Sequence, residues 1–245
     1  MAHYYKNGAR FTTKSEGWPK TIKGTPRLRP SIEMVEKAGG CLGVTDSIKF
    51  VDDSGWMARY FGMLGIQAGL ESSAEGEAMG KLKELSECYA NRGTQMHAFI
   101  DDYLTSGILP IDDSIGSTAS TAVASYIASE GIADYTTEHC MTSSVMIDGK
   151  EYRYGGTVDF LSDEFVIDWK TTKKARKPYM KELLQMCAYD GGEGRKLVNV
   201  YISQEDGSIT NIQRWTPEQS VAGWEMFKDC LVFRDKVRAM NKMVK

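Results

Sequence analysis

Residues 155–174 read GGTVDFLSDEFVIDWKTTKK, and this stretch decides how the chain folds. Its pattern predicts two strands, Glu151 to Leu161 and Glu164 to Trp169, joined by a tight turn at Ser162-Asp163. The charged residues stand among strongly apolar ones, which is typical of a sheet that is buried rather than exposed. These apolar residues are Val158, Phe160, Val166, Ile167 and Trp169.

Two acids and a lysine in this stretch predict a metal-dependent hydrolytic site. Asp159 and Asp168 lie near the ends of neighbouring strands, and neighbouring strands are about 4.8 Å apart. Their carboxylates can therefore bind one divalent ion, and we expect Mg²⁺ or Mn²⁺ because hard cations prefer oxygen ligands. Lys170 follows Asp168 by two residues and shares its strand face, where carboxylates favour the charged ammonium. Such a set suits phosphodiester hydrolysis.

The spacing of these three residues is not specific by itself. Exposed strands often carry a pair of solvent-facing acids with a salt-bridging lysine, and that is the alternative interpretation. The apolar surroundings favour a functional site, because acids and lysines seldom lie beside a buried sheet without a partner or a function.

Helical patterns dominate the chain before this stretch. Their apolar residues recur at helical spacing, and capping residues or glycines mark their ends. Five helices are predicted. The first is capped by Ser31 and ends at Gly39-Gly40, the second begins at Asp53 or Ser54, and the third begins at about Ser73. The fourth follows Asn91-Arg92-Gly93 and ends near Gly107, and the fifth runs from Thr118 to Ser129.

Strand patterns dominate after residue 130, and two further helices begin at prolines. The fold class we expect is α/β (α+β), with a central mixed β-sheet flanked by helices. We expect a single domain over residues 1–245. Its expected parts are an irregular segment (1–30), a mainly helical part (31–130), a sheet-containing core (131–215) and a closing helix (216–245). The additional strands are Thr136 to Ile147, Leu197 to Ile202 and Ile209 to Trp215, and the first of them is followed by the turn Asp148-Gly149. The two further helices begin at Pro178 and Pro217.

Composition excludes several classes of protein. No apolar run reaches the roughly 18 residues that would predict a membrane span, so we expect no membrane partner. The five cysteines form no CxxC pair, so no iron–sulfur cluster is expected and a reducing cytoplasm is favoured. A mitochondrial location is less favoured, because glycines and prolines interrupt the basic N-terminal stretch. The net charge of −3 does not predict nucleic-acid binding, but a local excess of one sign can be hidden in such a sum.

Two motifs in the strands are accompanied by one motif before them and one after them. They are GTQMHAFIDDYL (93–104), YGGTVDF (154–160), VIDWKTTKK (166–174) and QMCAYD (185–190). In this order and spacing they resemble the PD-(D/E)XK nuclease superfamily. Within it they resemble the RecB-like exonucleases, in particular the mitochondrial genome maintenance exonuclease and its phage relatives.

This resemblance covers most of residues 90–190 and implies a restriction-endonuclease-like core preceded by a helical part. One departure is Val158, which stands where the superfamily name expects proline. A phage relative would act in the cytoplasm of its host.

The resemblance implies a role for each residue of the site. Asp159, Asp168 and Lys170 would be catalytic, and the two aspartates would also bind the metal ion. His97 would be a further ligand, although a hydrogen-bonded core histidine is the better interpretation without the resemblance. The backbone carbonyl of Trp169 would also face the ion. Glu138, in the strand before the hairpin, is another candidate ligand, with a surface acid as an equal alternative.

Substrate-binding residues are expected on the helix and the basic segment that follow Lys170. Gln185 and Tyr189 stand one helical turn apart and would hold the substrate backbone or Lys170, with helix packing as the alternative. The basic segment begins at the site and would attract phosphates, whereas a solvated surface is the alternative for its charges alone. Its candidate residues are Lys173, Lys174 and Arg176.

The expected function is hydrolysis of DNA by a metal-dependent exonuclease that acts on single strands or ends. The preference for ends comes only from the resemblance. An endonuclease of the same superfamily and a catalytically silent DNA-binding protein are the alternatives, and RNA remains open as a substrate.

Overall fold

The structure is a computed structural model, and it describes residues 3–21, 23–28, 30–51, 65–66, 75–173 and 175–244. The helix predicted from Asp53 or Ser54 falls mostly outside the described residues, and Lys174 of the basic segment is also outside them.

From Ser114 onward, helices and strands occur in the order that the sequence patterns predict. The strands are β1 (Tyr4–Lys6), β2 (Ala9–Arg10), β3 (Cys41–Leu42), β4 (Thr136–Ile147), β5 (Lys150–Leu161), β6 (Phe165–Thr172), β7 (Lys196–Ser203) and β8 (Ile209–Arg214), and the helices are α1 (Ile32–Lys37), α2 (Val44–Ser47), α3 (Glu75–Ser106), α4 (Ser114–Ser129), α5 (Met180–Asp190) and α6 (Pro217–Met243).

A mixed sheet of five strands is the centre of the described structure, in the order β4-β5-β6-β7-β8. Strand β6 lies in the middle, antiparallel to β5 and parallel to β7, and β8 returns antiparallel to β7. Helix α5 makes the crossover between the parallel pair, as such a connection requires. The expected class, a mixed β-sheet flanked by helices, is confirmed.

Both faces of this sheet are covered, because successive side chains of a strand point to opposite sides. On one face, Val166 of β6 packs in a cluster with Leu184 of α5 and Leu231 of α6. On the other, Ile167 and Trp169 pack with residues of α3 and α4. The predicted burial of the sheet is therefore confirmed, and the five apolar residues around the acids are all at most 2% exposed.

The first thirty residues are more ordered than the sequence predicts. Strands β1 and β2 lie where irregular structure is expected, and they form a small antiparallel sheet with β3, which lies in the part expected to be mainly helical. This sheet is attached to the large one, because the Gly8 N–H donates to Thr142 Oγ1 at 3.0 Å and Gly43 forms a bridge with Gly155. Strands of two or three residues have too little periodicity to be read from a sequence, and their partners lie far along the chain.

The helix that was expected to begin after Gly93 is instead continuous with the preceding one. Helix α3 runs without a break from Glu75 to Ser106. An added Cβ at Gly93 would lie 2.9 Å from Thr171 Oγ1 of β6, so the glycine allows close contact between helix and sheet. The prediction of a break was wrong because glycine can mark close packing as well as a helix end.

Local signals at the ends of elements are confirmed. Ser31 caps α1 by accepting the Met34 N–H, and Gly107 with φ +72° follows the end of α3. All five cysteines are free thiols. Within the described ranges, no helix has the length and apolar character needed to span a membrane.

Gly207 in the β7–β8 turn provides a test of how tightly this turn packs against α4. Its φ is +78°, and an added Cβ would lie 2.2 Å from the Ile115 carbonyl oxygen. Gly149 in the β4–β5 turn has a φ of +75° but no atom within 4 Å of such a Cβ. We expect Gly149→Ala to lower the free energy of unfolding by about 1 kcal/mol, from backbone strain alone.

Gly207→Ala combines that strain with a backbone clash, so we expect a loss of about 3 kcal/mol or more. Urea denaturation of both variants measures the difference. Equal losses would contradict the close contact between this turn and α4.

Candidate active site

The site begins where strands β5 and β6 separate. Their backbone pairing joins Phe160 with Ile167 and Leu161 with Val166. One residue before Phe160, the Asp159 carboxylate accepts the Trp169 N–H at 2.9 Å, in place of a backbone carbonyl. This side-chain contact fixes the Asp159 carboxylate at the fork between the strands.

Three possible metal ligands meet at this fork. One ligand atom each from His97, Glu138 and Asp159 lies within 4.8 Å of the others. His97 is on α3, and its Nδ1 is 3.4 Å from Asp159 Oδ2. Each of the three residues comes from a different element, so the cluster is formed by the tertiary fold.

Glu138 interrupts the regular geometry of β4. Its φ is +46°, in the left-handed region that non-glycine residues rarely adopt, and the β4–β5 pairing passes from Thr137 to His139 without it. Backbone strain of this kind costs about 1–3 kcal/mol and is concentrated at functional sites. The strain favours a functional role for Glu138 over that of an ordinary surface acid.

The charges of this cluster influence one another. Partial burial and the nearby Asp159 raise the pKa of the Glu138 carboxyl. Burial opposes the charged form of His97, but the hydrogen bond with Asp159 outweighs it, so the pKa of His97 is raised. A cation among these carboxylates would relieve the repulsion between them.

A buried ion pair lies in the same cleft. Asp168 is 2% exposed, and the Lys170 ammonium donates to its Oδ2 at 2.7 Å. Burial raises the pKa of the Asp168 carboxyl to about 6, although the Lys170 charge opposes this shift. Burial also opposes the charge of Lys170, but Asp168 and Asp159 outweigh it and raise the pKa of the ammonium. The lysine is therefore a permanent cation of the site.

Helix α5 holds the other side of Lys170. The ammonium donates to Gln185 Oε1 at 3.1 Å, and Gln185 Nε2 donates to the Tyr189 hydroxyl at 2.7 Å. Tyr189 fits against β5 because residue 156 is glycine, where an added Cβ would lie 2.5 Å from the tyrosine ring. Of the two roles considered for Gln185 and Tyr189, these contacts favour the positioning of Lys170.

Asn199 and Trp215 belong to the site although the sequence did not single them out. Asn199 is paired with Asp168 in the parallel β6–β7 register, and its Nδ2 donates to Asp168 Oδ2 at 3.0 Å. Trp215 Nε1 donates to Asn199 Oδ1 at 2.8 Å, which fixes the orientation of the amide. Asn199 and Asp168 are 31 residues apart in the chain. Their contact could have been predicted only from knowledge that their two strands pair in parallel.

The small N-terminal sheet forms one wall of the cleft, which has a volume of about 490 Å³. His3, Tyr5 and Arg10 line it together with Asp101 of α3 and with seven of the side chains described above, which are His97, Glu138, Asp159, Asp168, Lys170, Gln185 and Tyr189. Arg10 lies close enough to Glu138 for its charge to act on that carboxyl. No pattern in the sequence predicts that this N-terminal arginine lies at the site.

The basic segment contributes less to the cleft than expected. Neither Lys173 nor Arg176 is among the described residues that line it. Arg176 Nη1 donates to Glu182 Oε2 at 3.2 Å, and its guanidinium lies over the rings of Tyr179 and Tyr201. Lys173 is exposed. A contact of either cation with substrate therefore remains a prediction, as does the carbonyl of Trp169 as a ligand.

Comparisons with known proteins find distant structural likenesses. No protein-family model and no curated protein sequence matches the chain. Among solved structures it is similar to SSO0001, with a TM-score of 0.35 and 16% identity over 72% of this chain and 86% of that one. It is also similar to an alkaline exonuclease from Laribacter hongkongensis, with a TM-score of 0.28 and 16% identity over 60% of this chain and 85% of that one.

Replacement of Trp215 tests the hydrogen-bond chain behind Asp168. Trp215→Phe keeps an aromatic ring but leaves buried Asn199 Oδ1 without its donor, which costs about 1–3 kcal/mol. Trp224→Phe is the matched control, because Trp224 packs against Phe227 and its indole makes no hydrogen bond within the described part of the chain. We expect the larger loss of stability for Trp215→Phe in urea denaturation, and equal losses would count against the chain.

Proposed function

We propose that this protein is a metal-dependent deoxyribonuclease that hydrolyses phosphodiester bonds. The observation that carries the proposal is that the cluster of His97, Glu138 and Asp159 opens into the same cleft as the Asp168–Lys170 pair. The cleft thus combines two kinds of group that would act on one substrate. The carboxylates can bind a divalent ion, and the fixed ammonium can bind a phosphate.

The residues of the cluster fit Mg²⁺ or Mn²⁺. Glu138 and Asp159 supply the oxygen atoms that these ions prefer, and a single imidazole from His97 is compatible with Mn²⁺. Asp168 and the Trp169 carbonyl are proposed as additional ligands. When bound, the ion would polarise the phosphate and lower the pKa of a coordinated water.

Among the protein's own side chains, Lys170 has the central role in the proposed reaction. Its charge is maintained by Asp168, and its position is fixed from two sides by Asp168 and Gln185. Such an ammonium can stabilise the charge that develops on the attacked phosphate without reorganising during the reaction. Tyr189 and Asn199 act through these partners and keep them in place.

We propose DNA as the substrate, with single strands or ends as the preferred form. The motif order that resembles the RecB-like exonucleases supports this choice. The volume of the cleft, about 490 Å³, lies in the range of sites that bind small ligands, which suits one or two nucleotides of a strand. Lys173, Lys174 and Arg176 are proposed to attract the phosphates of the remaining strand.

Incubation with labelled DNA and Mn²⁺ is the direct test of this function. We expect linear single strands to be degraded, circular single strands to be spared, and both EDTA and Asp168→Ala to stop the reaction. Equal cleavage of circular and linear strands would identify an endonuclease. Binding of DNA without cleavage would identify a silent DNA-binding protein, and faster cleavage of a matched RNA would change the substrate.

A comparison of Lys170→Ala with Asp159→Asn separates metal binding from catalysis. Lysine is not an expected ligand, so Lys170→Ala should bind Mn²⁺ within a few-fold of the unaltered protein in calorimetric titration. Its cleavage rate should fall by about 100-fold or more, as for the loss of a group that stabilises charge in the transition state. Asp159→Asn should lose both. Loss of Mn²⁺ binding in Lys170→Ala would refute the role assigned to the lysine.

A further inference from the structure

A second cavity lies between α6, the β4–β5 hairpin and β3, and it shares no lining residue with the catalytic cleft. Its volume is about 490 Å³. Five cationic and three acidic side chains line it, which leaves a net charge of +2 on a protein whose total charge is negative. A local cationic excess of this kind attracts anions.

Ion pairs within the protein account for part of this cationic lining. Lys150 Nζ is 2.7 Å from Asp235 Oδ2, and Arg238 forms a two-pronged pair with Glu36 through bonds of 2.9 Å. Lys242 pairs with Glu33 of α1, which is not itself a lining residue. These pairs link the hairpin and α1 to α6. If every cation of the lining were paired in this way, the charges would serve only to hold these elements together.

Two arginines of the cavity are not accounted for by these pairs. The Arg153 guanidinium forms no hydrogen bond or ion pair with any described residue, and it is exposed. Arg234 is only 5% exposed, and its Nη1 donates to Ser47 Oγ at 2.8 Å. Its Nε is buried without a hydrogen bond, 3.6 Å from Asp235 Oδ1. Asp235 compensates part of the Arg234 charge without satisfying this buried donor, which leaves Arg234 less fully paired than Lys150 or Arg238.

Cys41 of β3 lines the cavity together with these two arginines. The charges of both Arg153 and Arg234 act on its thiol, which also lines the cavity. Burial nevertheless raises the pKa of the Cys41 thiol to about 11, so it remains neutral near pH 7. The cysteine therefore provides no negative charge between the two arginines.

We propose that this cavity is a phosphate-binding site in which Arg153 and Arg234 hold the phosphate group of a nucleotide. The planar guanidinium offers paired donors that match the oxygens of a phosphate, and the cationic excess of the lining favours an anion. The volume of the cavity exceeds that of the anion alone and is sufficient for a mononucleotide. This site does not depend on the proposed nuclease activity.

Matched replacements of two exposed arginines test the proposal. Arg153→Gln removes a cation from this cavity, and Arg10→Gln makes the same change in the catalytic cleft. Each protein is titrated calorimetrically, without divalent ions, with inorganic phosphate, thymidine 5′-monophosphate and uncharged thymidine. We expect the unaltered protein and Arg10→Gln to bind both phosphates, thymidine to bind far more weakly, and Arg153→Gln to bind phosphate about tenfold more weakly.

A second titration distinguishes the source of the phosphate. If Arg153→Gln weakens binding of a 5′-phosphorylated oligonucleotide but not of its unphosphorylated form, the bound phosphate belongs to a strand. If the substitution weakens binding of the mononucleotide only, the ligand is a nucleotide free in solution. Both results support the site. The proposal is overturned if the unaltered protein does not bind millimolar phosphate saturably, or if Arg153→Gln binds as well as Arg10→Gln.

Discussion

The ion pair of Asp168 and Lys170, placed within a buried sheet, is the constraint on which the rest of the site depends. Removing two charges from water is costly, and their mutual attraction compensates only if other groups satisfy their remaining donors and acceptors. Asn199 donates a second hydrogen bond to the carboxylate, and Gln185 accepts one from the ammonium. The neighbouring strand and the crossover helix are thus both fixed by the same pair.

Much of the fold could be predicted because its signals are local. The hairpin turn at Asp148-Gly149, the cap at Ser31 and the alternation around Asp159 each depend on residues that are close in the chain. The core of the candidate site could be predicted for the same reason, since Asp168 and Lys170 are two residues apart and Gln185 and Tyr189 one helical turn apart.

The remainder of the site depends on contacts that are remote in sequence. Asn199 meets Asp168 only because β6 and β7 are parallel, and Arg10 reaches the cleft only because the N-terminal strands pack on β4 and β5. Neither strand pairing has a signature within the residues themselves. Gly93 was misread for a related reason, because the contact that requires a glycine is with Thr171, far along the chain.

The packing of the N-terminal sheet has a practical consequence for work with this protein. His3 is part of the cleft wall, so a bulky affinity tag or fusion partner placed directly before it would lie beside the proposed site. Val244, by contrast, follows the end of α6 and is 81% exposed. Purification handles and fluorescent labels are therefore better placed at the carboxyl end.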